Sequence, residues 1–172
     1  MSLPKVAFVR AGSRLALLEM LRGGITCFND MYFFPEVTAE VAADAGMRAS
    51  VGMILIDFPT AYGAGPDEYL DKAQGLYERW AGHALIDTVM APHAPYTVAE
   101  RHLVRAAELA ESLDRRIHMH IHETRGEIEE SVARTGSRPL MRLDALGLVG
   151  PRLLAVHMTH LDERERERVS AT

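Results

Sequence analysis

Three observations predict an α/β fold in which helices cover a parallel sheet. Apolar runs of strand length alternate with amphipathic helical segments along nearly the whole chain, which is the pattern of repeated strand-helix units. The run 48–56 is apolar enough to be covered on both faces, as strands of parallel sheets are. No linker, low-complexity segment or internal repeat interrupts the alternation. Residues 1–172 are therefore predicted to form a single domain.

The first half of the chain is predicted to contain three helices and three strands. The helices are expected at 13–21, 35–45 and 66–80, and the strands at 25–31, 48–56 and 86–91. Gly24 and Gly46 follow the first two helices, and glycine is common just beyond a helix C-terminus. The loop 57–65 is rich in Pro, Thr, Tyr and Gly, so we expect it to contact substrate or to be mobile.

The second half continues the alternation and brings the predicted number of strands to five. Helices are expected from 97 to about 113, at 123–134, at 138–146 and from 162 onward, with strands within 116–124 and at 153–157. Thr97 and Glu100 have the spacing of a capping box, in which each side chain binds an orphan amide of the helix start. The alternating charges of 162–168 are interpreted as a solvated helix face.

Composition excludes several classes of partner. A net charge of −5 and a pI near 5.9 give no basic surface for nucleic acid or for an anionic membrane. No secretory leader and no apolar run long enough to span a membrane is present in the sequence. Cys27 is the only cysteine, so no internal disulfide can form, and a reducing cytoplasm is the expected compartment.

The most informative stretch is 116–124, which contains three histidines at alternate positions. His118, His120 and His122 should share one face of a strand, opposite Met119 and Ile121, because successive strand side chains point to opposite faces. Imidazoles beside the carboxylate of Glu123 could bind a metal ion and move protons for a metal-bound water. The alternative is a polar strand face whose histidines are hydrogen-bonded or solvated.

Polar residues at the ends of separate strands favour one kind of parallel sheet. Asp30, His93, His120 and His157 fall at or just beyond the C-terminal ends of four predicted strands, which is how the active site of a (β/α)₈ barrel is built. A doubly wound sheet is the alternative, but the Gly-rich phosphate-binding turn that such sheets often have after the first strand is missing. We therefore predict part of a barrel.

Three residues away from these strand ends are expected to be structural. Cys27 lies inside a predicted strand and should be a buried apolar residue. Met47 and Met53 are expected in the core by the same reasoning.

Together the motifs resemble those of the amidohydrolase superfamily, in the branch of 5-methylthioadenosine/S-adenosylhomocysteine deaminases and triazine hydrolases. The resemblance rests on four ordered segments, 20–32, 92–96, 118–124 and 157–161. It implies a hydrolase that uses Zn²⁺, with Fe²⁺ as an alternative. The metal ligand of the fifth barrel strand falls on His120, and the proton-shuttling carboxylate falls on Glu123. The histidine that holds the attacking hydroxide falls on His157, and a substrate-contacting histidine falls on His93.

Two parts of the family pattern are missing from this sequence. The His-x-His pair of the first barrel strand and the metal-binding aspartate of the eighth are absent. We therefore expect an interior fragment that covers about strands two to six. Such a fragment should bind zinc weakly or not at all, should not deaminate alone, and should self-associate through unpaired sheet edges.

The implied substrate of the full-length parent is an amino-substituted purine of the methylthioadenosine or S-adenosylhomocysteine type. A triazine or ammeline chlorohydrolase and a guanine or cytosine deaminase are alternatives within the same chemistry. A module that holds a metal through His118, His120, His122 and Glu123 alone, or an interaction domain without catalysis, is an alternative from another class.

Overall fold

The structure is a computed structural model that describes residues 5–172. It contains two compact units, Met1–Ala91 and Pro92–Thr172, and the division falls within a strand. None of the helices in residues 5–172 is both long enough and apolar enough to cross a membrane.

The first unit alternates helices and strands, as predicted. Its elements are α1 (Val6–Arg22), β1 (Cys27–Asp30), α2 (Pro35–Asp44), β2 (Arg48–Leu55), α3 (Pro66–Trp80) and β3 (Ile86–Pro92). β1 and β2 pair in parallel from Cys27 opposite Arg48 to Asp30 opposite Val51, and β2 lies between β1 and β3. Both α2 and α3 pack on β2. Residues 51–55 of β2 are consecutively buried, which agrees with a strand covered on both faces.

Most predictions for the first unit agree with the structure. Helix α3 has the predicted bounds, and Gly46 adopts a left-handed conformation just beyond α2. Met47 and Met53 are buried, as expected. The prediction for Cys27 is wrong, because this residue opens the four-residue strand β1 and is exposed.

The second unit contains the remaining elements. These are α4 (Glu100–Ser112), β4 (Ile117–Ile121), α5 (Arg125–Thr135), α6 (Pro139–Ala145), β5 (Leu153–His157) and α7 (Glu163–Ser170). β4 and β5 pair in parallel from Ile117 opposite Leu153 to Ile121 opposite His157. The core of the unit includes the fully buried Met119, and the strand β5 has the predicted bounds.

Two predictions about helices need correction, one on the start of α4 and one on the charges of α7. Thr97 does not cap α4, which begins at Glu100 with Ala99 as its N-cap residue. The Thr97 hydroxyl is engaged locally instead, since it donates to the Ala94 carbonyl at 3.2 Å. A complete capping box occurs at α7, where the Asp162 side chain accepts from the Glu165 amide and the Glu165 side chain accepts from the Asp162 amide. The Glu165 side chain is fully buried, so the charges of this helix are not all solvated.

Candidate active site

Three imidazoles from three strand ends lie together in the second unit. His93 directly follows β3, His120 lies near the end of β4, and His157 is the last residue of β5. The ring centroids of His93 and His120 are 5.2 Å apart, and those of His120 and His157 are 5.4 Å apart. The predicted convergence of these three side chains is therefore observed.

The His93 carbonyl oxygen fixes the orientation of His120. It accepts hydrogen bonds from the His120 backbone amide at 3.1 Å and from the imidazole Nδ1 at 3.0 Å. Because a carbonyl can only accept, the proton of the neutral ring must be on Nδ1. The lone pair of His120 Nε2 is then available, and a backbone partner of this kind is typical of a metal-ligating histidine.

His93 is held in the same tautomer by Thr97. The Thr97 hydroxyl uses its hydrogen on the Ala94 carbonyl, so it accepts from His93 Nδ1 at 3.0 Å. Burial lowers the pKa of His93, the nearby His120 lowers it further, and Glu123 opposes both effects. His93 is therefore a neutral ring at neutral pH, with the lone pair of Nε2 free to accept a proton or a hydrogen bond.

Glu123 brings a carboxylate to the cluster from the loop after β4. Its Oε2 lies 3.6 Å from Nε2 of His157. The two side chains are 47% and 33% exposed, so water reaches both of them. An acid and a base in contact with water are the groups that general acid–base catalysis requires.

His118 lies beside this cluster but is not accessible. Its ring centroid is 5.8 Å from that of His120, on the same face of β4. Burial, with a smaller contribution from His120, lowers the pKa of His118 to about 4. His118 is therefore a neutral, structural ring behind the accessible imidazoles.

The prediction that His122 joins the same column is wrong. β4 ends at Ile121, and His122 has a φ of 57°, so the alternation of strand side chains stops before it. Its fully buried ring accepts the Leu140 amide at Nε2, 3.3 Å away, and lies 3.5 Å from Glu165. Burial lowers the pKa of His122 despite the nearby carboxylate, so the ring is neutral.

The loops that carry Glu123 and His157 contain strained backbone. His122, His157 and Met158 all have positive φ values, of 57°, 73° and 54°. Such conformations cost about 1–3 kcal/mol each in non-glycine residues and are concentrated at functional sites. The two loops are joined by hydrogen bonds from the Met158 amide to the Ile121 carbonyl and from the Thr159 amide to the His122 carbonyl.

Asp30 is the one predicted strand-end residue that belongs to the first unit. It ends β1 and lines a cavity of about 360 Å³, together with Phe28 and Thr38. Its Oδ2 is buried without a hydrogen-bond partner among residues 5–172. Burial raises the pKa of Asp30, and a hydrogen bond from Thr38 partly opposes this.

Sequence reasoning missed several residues that support the site. Glu127 and Thr159 bind the backbone of the loop around Glu123. Glu165 and Arg138 form a pair, 2.8 Å apart, in which the carboxylate is fully buried. Thr124 and Glu127 have the Thr-x-x-Glu spacing of a helix start, which was an available signal for the first of these.

The nitrogen donors of the cluster are suitable for zinc, but they are too few. The imidazoles of His120 and His157 lie side by side, and imidazole nitrogen is a ligand type that zinc prefers. Residues 5–172 contain no group of three His, Cys, Asp or Glu side chains arranged to hold a metal ion. A catalytic zinc site uses three or more protein ligands. The side chains of residues 5–172 alone therefore do not complete such a site.

The fold and these motifs are characteristic of one protein family. Residues 5–172 match the sequence profile of the amidohydrolase family, and the chain belongs to this family.

Relatives in this family agree with the fold and add functional context. The chain is 48% identical over 158 residues to the 5-methylthioadenosine/S-adenosylhomocysteine deaminase of Saccharophagus degradans, covering 92% of this chain and 35% of that protein. It is 35% identical over 161 residues to the 5'-deoxyadenosine deaminase of Methanothrix thermoacetophila, covering 94% of this chain and 37% of that protein. The chain thus spans about a third of the length of these relatives.

Solved structures confirm the predicted fold. A zinc-bound adenosine deaminase from Xanthomonas campestris superposes with a TM-score of 0.96 at 49% identity, over 98% of this chain and 38% of that one. An atrazine chlorohydrolase from Arthrobacter aurescens superposes with a TM-score of 0.87 at 21% identity, over 97% of this chain and 41% of that one. The chain is therefore an α/β protein that corresponds to part of an amidohydrolase barrel.

Proposed function

We propose that this chain carries part of the active site of a metal-dependent deaminase that hydrolyses the exocyclic C–N bond of an amino-substituted purine nucleoside. The observation that carries the proposal is the position of Glu123, whose carboxylate lies 3.6 Å from Nε2 of His157, in the cluster that also contains the rings of His120 and His93. Support for the substrate class comes from relatives at up to 48% identity that are 5-methylthioadenosine/S-adenosylhomocysteine deaminases.

Each residue has a role that its environment suits. His120 would bind the metal through Nε2, because Nδ1 is already engaged by the His93 carbonyl. Zn²⁺ lowers the pKa of a bound water to about 7, and Fe²⁺ is the alternative metal. The exposed carboxylate of Glu123 would accept one proton from water and pass it to the purine ring nitrogen. It would then transfer the remaining proton of the added hydroxyl group to the amino group, which leaves as ammonia as the C=O bond forms. His157 would hydrogen-bond the attacking water, and Nε2 of His93 would orient the substrate.

Other functions receive less support. A local metal site of His118, His120, His122 and Glu123 conflicts with the buried, reversed position of His122. The atrazine chlorohydrolase shares the fold at 21% identity. A likeness at this level of identity gives no support for a shared substrate. Deamination of guanine or cytosine would use the same hydrolytic chemistry but would require a substrate pocket of different shape. If the chain were a non-catalytic interaction domain, a completed form of the protein would have no activity.

The test is an assay of a completed barrel. The parts of the Saccharophagus degradans relative that lie outside the matched region would be joined to this chain. Ammonia release would then be measured with methylthioadenosine, S-adenosylhomocysteine, guanine, cytosine and ammeline. We expect the two adenosine derivatives to give the highest kcat/KM and the 172-residue chain alone to release no ammonia. A completed, zinc-loaded protein that is inactive on all five compounds would refute the proposal.

The partners and compartment are proposed on simpler grounds. We infer self-association, because α1 exposes a row of large apolar side chains that includes Phe8, Leu15 and Leu18. The substrate would be a small heterocyclic molecule, with no nucleic acid or membrane partner. A cytoplasmic location is supported by the single cysteine.

A further inference from the structure

One carboxylate binds the backbone of the turn that carries Glu123. Glu127, in the first turn of α5, accepts the amide hydrogen of His122 at 2.7 Å and that of Glu123 at 3.0 Å. Its own amide donates to the Thr124 hydroxyl at 3.2 Å, which caps the helix. Hydrogen bonds to an ionised carboxylate are shorter and stronger than neutral ones. Two consecutive peptide groups ahead of the helix are thus fixed by one side chain.

The carbonyl side of the same turn is also held. The Thr159 hydroxyl lies 2.7 Å from the His122 carbonyl and 3.2 Å from the Glu123 carbonyl. The fully buried ring of His122 fixes the start of the turn. The Glu123 side chain is the part that remains half-exposed, facing His157. The hydrogen bonds to the backbone therefore fix the point from which this side chain extends.

The pattern differs from an ordinary capping box. There, the glutamate at the third helical position binds the amide of the N-cap residue, which would be Thr124 here. Glu127 instead binds the two residues before the N-cap residue, and one of them is Glu123. The carboxylate thus acts on the segment that bears the acid–base group as well as on the helix start. Thr124 retains the capping role.

We propose that Glu127 is a positioning residue, which holds the strained turn at His122 so that the Glu123 carboxylate stays against His157. The proposal rests on the proposed function only for the role of Glu123. The geometry itself can be tested in the 172-residue chain without catalysis. In an active, completed enzyme the same interaction would support kcat more than KM, because it places a group that acts on protons.

The experiment compares Glu127→Ala with Glu123→Gln as a reference and with two controls, by NMR and thermal unfolding of the 172-residue chain. In Glu127→Ala we expect the His122 and Glu123 amides to exchange at least tenfold faster. We also expect the His157 ring signals to move at least halfway to their positions in Glu123→Gln. Thr124→Ala removes the helix cap and should lower Tm without moving the His157 signals. Glu129→Ala alters an exposed glutamate of the same helix and should change none of these values.

A conservative variant keeps the test decisive if Glu127→Ala is poorly folded. Glu127→Gln retains one acceptor oxygen, so one of the two amides should stay protected and the His157 signals should move by less. Unchanged His157 signals in both Glu127 variants, or equal movement in Thr124→Ala, would overturn the proposal. Neither result depends on deamination, so failure here is separate from failure of the proposed function.

Discussion

His120 and His122 are two positions apart in the sequence, but their side chains lie in different environments. His120 faces the accessible cluster, whereas His122 is fully buried against the Leu140 amide and Glu165. The alternation rule predicted His118 and His120 on one face correctly because both lie within β4. It failed at His122 because the backbone there turns to a positive φ, and the local sequence carries no glycine to signal this.

Asp30 gives a residue-scale prediction for pH dependence. Its pKa is raised by burial, so the carboxylate form is disfavoured in the folded state, and stability falls as pH rises through the folded pKa. Asp30→Asn removes the buried charge at an oxygen that has no partner among residues 5–172. We expect about 1 kcal/mol of added stability at pH 7, roughly 2–4 °C in Tm, and no gain below pH 3.8.

Thermal unfolding followed by circular dichroism at several pH values measures this effect. Asp71→Asn, at an exposed position of α3, is the control and should leave Tm unchanged at every pH. A loss of stability in Asp30→Asn at pH 7 would show that the carboxylate makes a favourable interaction.

At the scale of elements, the sequence predicted some bounds correctly and the start of α4 wrongly. β5 and α3 have the predicted bounds because long apolar periodicity determines them. Thr97 misled the prediction because its hydroxyl can bind a nearby carbonyl as readily as a helix amide. The burial of Glu165 could not be predicted from the charged run 162–168, since it depends on Arg138 and His122 from distant parts of the second unit.

Glu165 should therefore matter far more than its charged neighbours in α7. It accepts from the Asp162 amide at 3.0 Å and pairs with Arg138 at 2.8 Å, while fully buried. Glu165→Ala leaves a cavity, an uncapped amide and a half-paired guanidinium, so we expect a loss of about 3 kcal/mol. Urea unfolding should show the loss, and Glu163→Ala, at a side chain that is 76% exposed, should lose less than about 0.5 kcal/mol.

Glu165→Gln separates the contribution of the ion pair with Arg138 from that of packing and capping. It keeps the size and one acceptor for the Asp162 amide but removes the charge beside Arg138. A loss in Glu165→Gln as large as in Glu165→Ala would assign the effect to the ion pair. A small loss would assign it to packing and capping.

At the scale of the whole molecule, the family assignment explains why part of a site can be present without a complete ligand set. The chain corresponds to 38% of the Xanthomonas campestris adenosine deaminase, with a TM-score of 0.96. The imidazoles and the carboxylate were predictable from sequence because each is attached to a recognisable strand end. Their mutual distances depend on the pairing of strands, which the sequence does not state.

Self-association is expected at the same scale. Phe8, Leu15 and Leu18 of α1 are 66%, 58% and 55% exposed, and patches of this kind mark association surfaces. The double substitution Leu15→Glu with Leu18→Glu should shift the chain toward monomer in sedimentation velocity. Val132→Glu changes an exposed apolar residue of α5 and should leave the distribution as it was. A wild-type chain that is monomeric at all concentrations tested contradicts this prediction.

We propose that Glu123 moves protons beside His157 and His120, and one substitution tests this role most directly. Glu123→Gln in the completed, zinc-loaded barrel preserves size and polarity but removes the basic oxygen. The measurement is kcat for ammonia release from methylthioadenosine at pH 7, with zinc content determined for both proteins. We expect kcat to fall by roughly 10²–10⁴-fold with zinc retained. A Glu123→Gln protein that keeps the full rate would contradict the account.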